Sequence, residues 1–487
     1  MQNTLNQKIG QATKWSGITE IVAKLITPIT NMILARLLEP EAFGVVATLT
    51  MVVSFAEIFT DAGFQKYLVQ HEFQDEQDLD ISTNVAFWTN LFFSLAIWAG
   101  IACFATPIAA LVGSPGSETA IIVMCFQIPL LAFSSIQMAR YKREFDFKSL
   151  FVVRISTALV PVAITLPLVL LFRNYWALVI GTLARDVLNA GLLSVKSNWK
   201  PRFSYNIKKL KEMLSFSLWT MVENVTIWLT NYVGIFIISS ALSEHYLGLY
   251  KTTISTVGAY MGIVTSATTP VLFSGLSRCQ QNDEAFQNVF FRFQRMVAML
   301  VFPMGVGLFV YRDLATSILL GNQWMETADF LGMWSLMSAI TIVFSHYNSE
   351  AFRSIGKPKL SILAQVLHLA ALIPVLLLTV DKGYEILTLS RSVVRLQMIV
   401  VSCILLQMTV KIRFVDICKN IWPAMLSAIV MMLAGFGLRL ISNHIVWEIS
   451  GMLICVAVYA GMMMLLPAGR KQLAEVAILK KILHLRR

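Results

Sequence analysis

Ionisable side chains interrupt long apolar runs of this chain, and their spacing groups them. Glu20 and Lys24 stand four apart, on one face of a helix, with Pro28 a turn later to kink it. Glu57 and Asp61 repeat the four-residue spacing. Arg185 and Asp186 are adjacent, Glu223 stands alone, and Arg391 and Arg395 share a helical face. A charge in hydrocarbon costs roughly 2.5–3.5 kcal/mol on insertion scales, so such groups face a partner or a polar cavity. Two chemistries are therefore open: ion pairing within the membrane, as between Glu20 and Lys24, or a polar path for a charged cargo. The occurrence of such groups in both halves of the chain, at similar depths, favours the path. Lys251 and Arg154 lie nearer the ends of apolar runs; Arg154 reads as snorkelling to the headgroups, and Lys251 fits either role. His346, His368 and Glu350 read as hydrogen-bonded packing residues, and Gly258 and Gly262 as a close-packing motif.

The elements that must position these groups follow from hydropathy. Of 487 residues, 56% are hydrophobic and only 14% charged, and the mean hydropathy is +0.68. That composition excludes a soluble multidomain enzyme, a disordered chain and a disulfide-stapled module. Apolar segments long enough to span a bilayer fall at 13–37, 43–65, 82–112, 119–140, 150–172, 175–196, 212–240, 247–273, 290–310, 327–350, 360–380, 384–409, 421–442 and 446–467, fourteen in all. The fold class expected is an all-α polytopic membrane protein. The N-terminus lacks the order of a cleaved signal peptide, so the first span is expected to remain.

Lysine and arginine set the orientation. With the N-terminus inside, the inside connections carry 28 of these residues and the outside loops 5. Both termini are then expected to be cytoplasmic, and the net charge of +11 reflects topology rather than a nucleic-acid partner. The outside loops are too short to house a soluble active site. The longest polar inside connection, 197–211, ends in the basic run Ile207–Lys211, which looks like an interfacial helix. It separates a lobe at 1–196 from a second at 212–410, leaving 411–487 as two further spans and a basic tail.

A repeat supports the two lobes. Leu38-Glu-Pro-Glu-Ala-Phe-Gly44 and Leu242-Ser-Glu-His-Tyr-Leu-Gly248 share their spacing at an offset of 204 residues. The same offset puts Glu20 opposite Asn224, beside Glu223, and brings Arg391 within two positions of Arg185. Parallel repeats with a path between them are a common transporter plan. No Walker loop, GxSxG or HExxH is present, and the six cysteines form no CxxC or Cys/His cluster, so no enzyme, metal or cofactor is expected.

Several stretches carry a resemblance. Ala35–Gly44 (ARLLEPEAFG), Asp61–Gln70 (DAGFQKYLVQ), Trp176–Gly181 (WALVIG), Trp199-Lys-Pro-Arg202, Leu247-Gly-Leu-Tyr250 and Phe273–Arg278 (FSGLSR) occur in that order. Together they resemble the bacterial polysaccharide transporters, the Wzx-like branch of the multidrug/oligosaccharidyl-lipid/polysaccharide (MOP) superfamily. The resemblance implies two six-helix lobes in a V, with two added C-terminal helices that hold a lipid groove, as in the related lipid II flippase, or are accessory. It implies flipping of an undecaprenyl-diphosphate-linked oligosaccharide across the inner membrane for O-antigen, exopolysaccharide or capsule synthesis, alongside polymerase and export proteins. Lys24, Arg185, Arg391, Arg395 and Lys251 become candidates for the diphosphate. Glu20, Glu57, Asp61, Asp186 and Glu223 become candidates for ion coupling or charge pairing. The alternative is a drug or cation antiporter of the same superfamily, which would have an acidic cavity without a cationic centre.

Overall fold

The computed structural model describes residues 26–60, 64–71, 73–144, 146–197, 199–357, 359–442 and 444–474. Every regular element among them is helical. Twelve helical stretches among the described residues are long and apolar enough to cross a membrane. They coincide with twelve of the fourteen expected spans. Of the other two, the first is represented by a helix at 26–37 and the seventh by Trp228–Ala241, the apolar end of a longer helix. The outward surface is apolar: Phe92, Leu171 and Leu378 are 71%, 76% and 71% exposed. Such a surface is stable only against lipid.

The chain divides into two compact units, Met1–Lys251 and Thr252–Arg487. The first contains α1 (26–37), α2 (Pro40–Thr60), α3 (Phe64–Gln70), α4 (Glu76–Cys103), α5 (Ala105–Leu111), α6 (Glu118–Cys125), α7 (Gln127–Arg143), α8 (Phe147–Val160), α9 (Leu166–Phe172), α10 (Trp176–Lys196) and α11 (Ile207–Ala241). The unit boundary falls within α12 (Glu244–Arg278). Pro129 lacks the N–H that would bond the Cys125 carbonyl, and the span Glu118–Arg143 breaks at Phe126. Pro161 opens a π turn, Pro161–Thr165, between α8 and α9, and Gly181 of α10 packs against Thr165 there.

One end of this unit is tied by polar contacts. Asp75 caps α4, whose Asp78 and Asp80 meet Lys209 at 2.8 Å and Arg140 at 3.1 Å. Hydrogen bonding to Asp78 raises the Lys209 ammonium above its ordinary pKa. The connection before α11 is anchored to α4: Trp88 Nε1 donates to the Arg202 carbonyl at 3.0 Å, and the Arg202 N–H donates to Asn84 Oδ1 at 2.8 Å. Trp199 is buried against Phe87. The basic run from Ile207 is no separate interfacial helix. Asn206 caps it, and it continues unbroken into the 35-residue α11.

At the other end the two copies of the repeat meet each other. Each is a helix–break–helix junction, α1 to α2 and α11 to α12. A Cβ on Gly44 would collide with the Glu244 carbonyl, and one on Gly248 with the Pro40 carbonyl. Glu41 and His245, related by the same offset of 204, pair at 2.8 Å. Equivalent positions are thus mutual contacts, the mark of a two-fold seam, and glycine lets the backbones touch.

The second unit holds α13 (Asp283–Val310), α14 (Arg312–Leu319), α15 (Ala328–Thr341), α16 (Tyr347–Ser354), α17 (Lys359–Thr379), α18 (Tyr384–Val393), α19 (Arg395–Val410), α20 (Phe414–Arg439) and α21 (Ile445–Leu465). The last pair packs on α13. Tyr459 Oη donates to the Met299 carbonyl at 3.1 Å, Asn420 Nδ2 to the Phe291 carbonyl at 2.9 Å, and Arg439 Nη1 to the Val310 carbonyl at 2.7 Å. Arg439 also meets Asp313 at 2.5 Å. Polar ties along its whole length make this pair an integral part of the unit.

Candidate functional site

The expected charged groups fall into distinct settings. Glu20, Lys24 and Asp61 lie outside the described residues, and Glu223 is on α11 where only the backbone is described. On α10, Arg185 Nε donates to Asp186 Oδ1 at 3.0 Å. The aspartate is buried while the arginine is about half exposed, so the pair spans a polarity boundary, and no described donor reaches Asp186 Oδ2. In the second unit, Arg391 and Arg395 flank the break between α18 and α19. Both guanidinium groups lie over the buried ring of Trp334, at 5.0 and 4.3 Å. Arg395 Nη1 also donates to Ser338 Oγ at 2.6 Å. An aromatic face lowers the cost of holding cations side by side without neutralising them. His368 bonds Gln397 at 3.3 Å, His346 bonds Thr269 at 3.2 Å, and Glu350 pairs with Arg353 at 3.0 Å, so all three act as packed polar residues.

Lys251, the last residue of the first unit, has its Nζ 5.2 Å from the centre of the Tyr232 ring, and no carboxylate pairs with it among the described residues. Tyr232 stacks on Trp228 at 5.5 Å, and Trp228 lies 4.8 Å from Phe55. Trp228 Nε1 donates to Ser54 Oγ at 3.1 Å. Aromatic spacing of four residues on α11 thus builds a ladder from the lysine to α2.

Ser54 and Glu57 open onto a cavity of about 470 Å³ within the first unit. Gln65 of α3, Asn90 of α4, Ser134, Ser135 and Met138 of α7 and Asn189 of α10 also line it. The hydroxyl protons there are spent on the backbone: Ser54 on the Met51 carbonyl, Ser134 on Leu130, Ser135 on Ala132. Asn90 Nδ2 donates to Ser135 Oγ at 3.1 Å and to the Ala132 carbonyl at 3.4 Å, which turns its Oδ1 away from both. That Oδ1 is buried with no partner. The described wall thus combines hydroxyls, carboxamides and a carboxylate, with Gln65 Nε2 donating to the Ser135 carbonyl at 3.1 Å.

Sequence reasoning found Glu57 and Lys251 here and missed Asn90, Gln65, Asn189, Trp228 and Tyr232. A search for charge passes over neutral amides, and aromatic residues in apolar runs read as lipid-facing or core. The four-residue spacing of Trp228 and Tyr232 was the one available signal.

Comparison with known proteins agrees with this architecture. The succinoglycan biosynthesis transport protein ExoT of Rhizobium meliloti (strain 1021) is 26% identical over 341 residues, 70% of this chain and 68% of its own length. The lipopolysaccharide biosynthesis protein WzxC of Escherichia coli (strain K12) is 16% identical over 361 residues, 73% of this chain and 69% of its own. The solved lipid II flippase MurJ, in an inward closed conformation, superposes with a TM-score of 0.74 over 92% of this chain and 97% of its own, at 14% identity. That likeness establishes the fold: the chain shares the all-helical, multi-span architecture of that structure. Residues 33–329 match the family described as polysaccharide biosynthesis protein. With three fifths of its length matched, this multi-span chain belongs to the polysaccharide biosynthesis protein family.

Proposed function

We propose that this protein is a flippase, not an enzyme, which carries an undecaprenyl-diphosphate-linked oligosaccharide from the cytoplasmic to the periplasmic leaflet for polysaccharide synthesis. The observation that carries the reading is the family match over residues 33–329, which contains the cavity, the aromatic ladder and Lys251. The names of the relatives, transport of succinoglycan and synthesis of lipopolysaccharide among them, support it. So does the physics. A diphosphate cannot cross hydrocarbon without its hydration being replaced, and charge-assisted hydrogen bonds from lysine and arginine replace it. The prenyl tail stays in lipid throughout.

In this reading Lys24, Arg185, Arg391, Arg395 and Lys251 serve the diphosphate. Glu20, Glu57, Asp61, Asp186 and Glu223 serve charge compensation or ion coupling. The lobes are 1–196 and 212–410, joined by 197–211 and followed by 411–487. The protein resides in the bacterial inner membrane with both termini cytoplasmic, as the bias of 28 basic residues against 5 favours. Polymerase and export proteins act on what it delivers.

Deletion of the gene tests the function. The expected result is accumulation of lipid-linked oligosaccharide in the cytoplasmic leaflet, with loss of a surface or secreted polysaccharide. Normal polysaccharide together with selective loss of dye efflux would overturn the reading in favour of an antiporter.

A further inference from the structure

We propose that the connection 199–206 and the start of α11 form a contact with the membrane surface that selects anionic phospholipids. In it Phe203 and Tyr205 enter the lipid boundary, and Arg202, Lys208 and Lys211 hold headgroup phosphates. Such a contact goes beyond the flippase reading and stands or falls separately from it.

Position comes first. The connection has no regular secondary structure, yet it is held along α4 residue by residue. Trp199 packs on Phe87, and Arg202 is tied through its backbone to Asn84 and Trp88. The Phe203 ring then lies 4.5 Å from that of Trp88, and Tyr205 Oη shares a hydrogen bond with Thr89 Oγ1 at 3.0 Å. Asp80, paired with Arg140, marks the polar end of α4. Trp88 stands eight residues further on, past Val85, Ala86 and Phe87, which is about 12 Å of helix. The rings of the connection are therefore carried from the polar end of a membrane span toward its apolar part.

Exposure follows from that placement. Phe203 is 91% exposed in spite of its stack on Trp88, and Tyr205 and Ile207 are 53% and 64% exposed. Three large apolar or aromatic side chains within five residues are costly in water. At the membrane interface they are favourable, because an aromatic ring there keeps its body in lipid and any polar tip in the headgroup layer. Asn206 caps α11 immediately after these rings, so the same contact fixes the height at which that helix begins.

Charge narrows the partner. Arg202, Lys208 and Lys211 are exposed beside the rings. The nearby carboxylates are engaged elsewhere: Asp78 and Glu212 both meet Lys209. Among the described residues none pairs with Arg202, Lys208 or Lys211. Uncompensated cations on long, flexible stems reach headgroup level while their rings stay in the lipid boundary. Basic residues gathered next to a span bind anionic lipid in this way. A zwitterionic headgroup brings its own ammonium with its phosphate and gains less. An acidic protein would satisfy the charges, but to cover Phe203 it would have to displace lipid at the level of Trp88.

The test measures retention of single lipids by the purified full-length protein in native mass spectrometry. The probes are phosphatidylglycerol, phosphatidylcholine and undecaprenyl diphosphate. The native protein should hold phosphatidylglycerol roughly five-fold or more tightly than phosphatidylcholine. The combined variant Arg202→Gln, Lys208→Gln and Lys211→Gln should lose roughly five-fold or more of its phosphatidylglycerol affinity. Its phosphatidylcholine affinity should stay native, which also shows that it is folded. Phe203→Ser should weaken both phospholipids about two-fold and leave the preference between them, since the ring inserts without reading charge. Equal affinity of the native protein for the two phospholipids would overturn the contact. So would a loss of both alike in the combined variant. Unchanged phosphatidylglycerol affinity in that variant would overturn it and leave the surface to an acidic protein. A loss confined to undecaprenyl diphosphate would overturn it as well, because the cations would then receive the substrate and not the surrounding lipid.

Discussion

One helix, α2, participates in two opposite kinds of environment. At its start, Gly44 lies backbone to backbone against α12, with no room for a methyl group. Three turns on, Ser54 and Glu57 face a cavity of about 470 Å³. The close-packed seam is built from small residues and carbonyls, the cavity wall from amides, hydroxyls and a carboxylate. Packing is what a membrane helix uses where water and ligand must be kept out, since lipid supplies no hydrophobic drive for helices to associate. Open polar volume remains where side chains from several helices converge without filling the space between them.

The largest expected effect breaks the seam. Gly44→Leu or Gly248→Leu should reduce polysaccharide export more than ten-fold, because the side chain would have to displace a backbone carbonyl of the facing helix. Export assayed at matched membrane abundance checks this, and near-native export would show that the seam yields easily. A single added methylene in a packed site already costs about 1–3 kcal/mol, so Gly44→Ala should fall between the two.

Next come the cations. Lys251→Met should lower export roughly five-fold or more, and Lys251→Arg should restore a good part, since a guanidinium also stacks on Tyr232. Equal loss in both variants would point to a packing role for this residue. Trp334→Leu in the second unit removes the surface under both Arg391 and Arg395, and should cost about as much as Arg395→Ala. Unchanged export by Trp334→Leu would separate the stacking from the function.

Smaller still is Ser54→Ala, which leaves the Trp228 N–H without its acceptor and loosens the ladder at the cavity rim. An unmet buried hydrogen bond costs about 1–3 kcal/mol, and a two- to five-fold loss of export is expected. The smallest effect belongs to Glu41→Gln. Its carboxylate is half exposed beside His245, and exposed pairs contribute about 0–1 kcal/mol, so export should change less than two-fold. A large effect there would make the charge pair, and not the glycines, the element that holds the seam.

Hydropathy, basic-residue bias and the 204-residue repeat were legible because each is a one-dimensional pattern. Apolar length reports a span whatever the helix packs against. The repeat located two equivalent junctions, Leu38–Gly44 and Leu242–Gly248, since the same chain geometry needs the same residue types. Their contact with each other was not legible. It arises from a two-fold relation in space, which no spacing along the chain encodes.

The same division runs through the candidate site. The sequence by itself determined that this is a multi-span membrane protein with charges placed inside its apolar runs, because the cost of exposing apolar surface to water and of burying charge in lipid is a property of each segment. Only the tertiary structure decided that Arg185 leans on Asp186, that one indole carries both Arg391 and Arg395, and that Asn90 bridges to α7 through its Nδ2 while its Oδ1 is buried without a partner. Those outcomes depend on which side chains from distant segments converge. Directional hydrogen bonds and ring faces are satisfied or left open only when that convergence is complete.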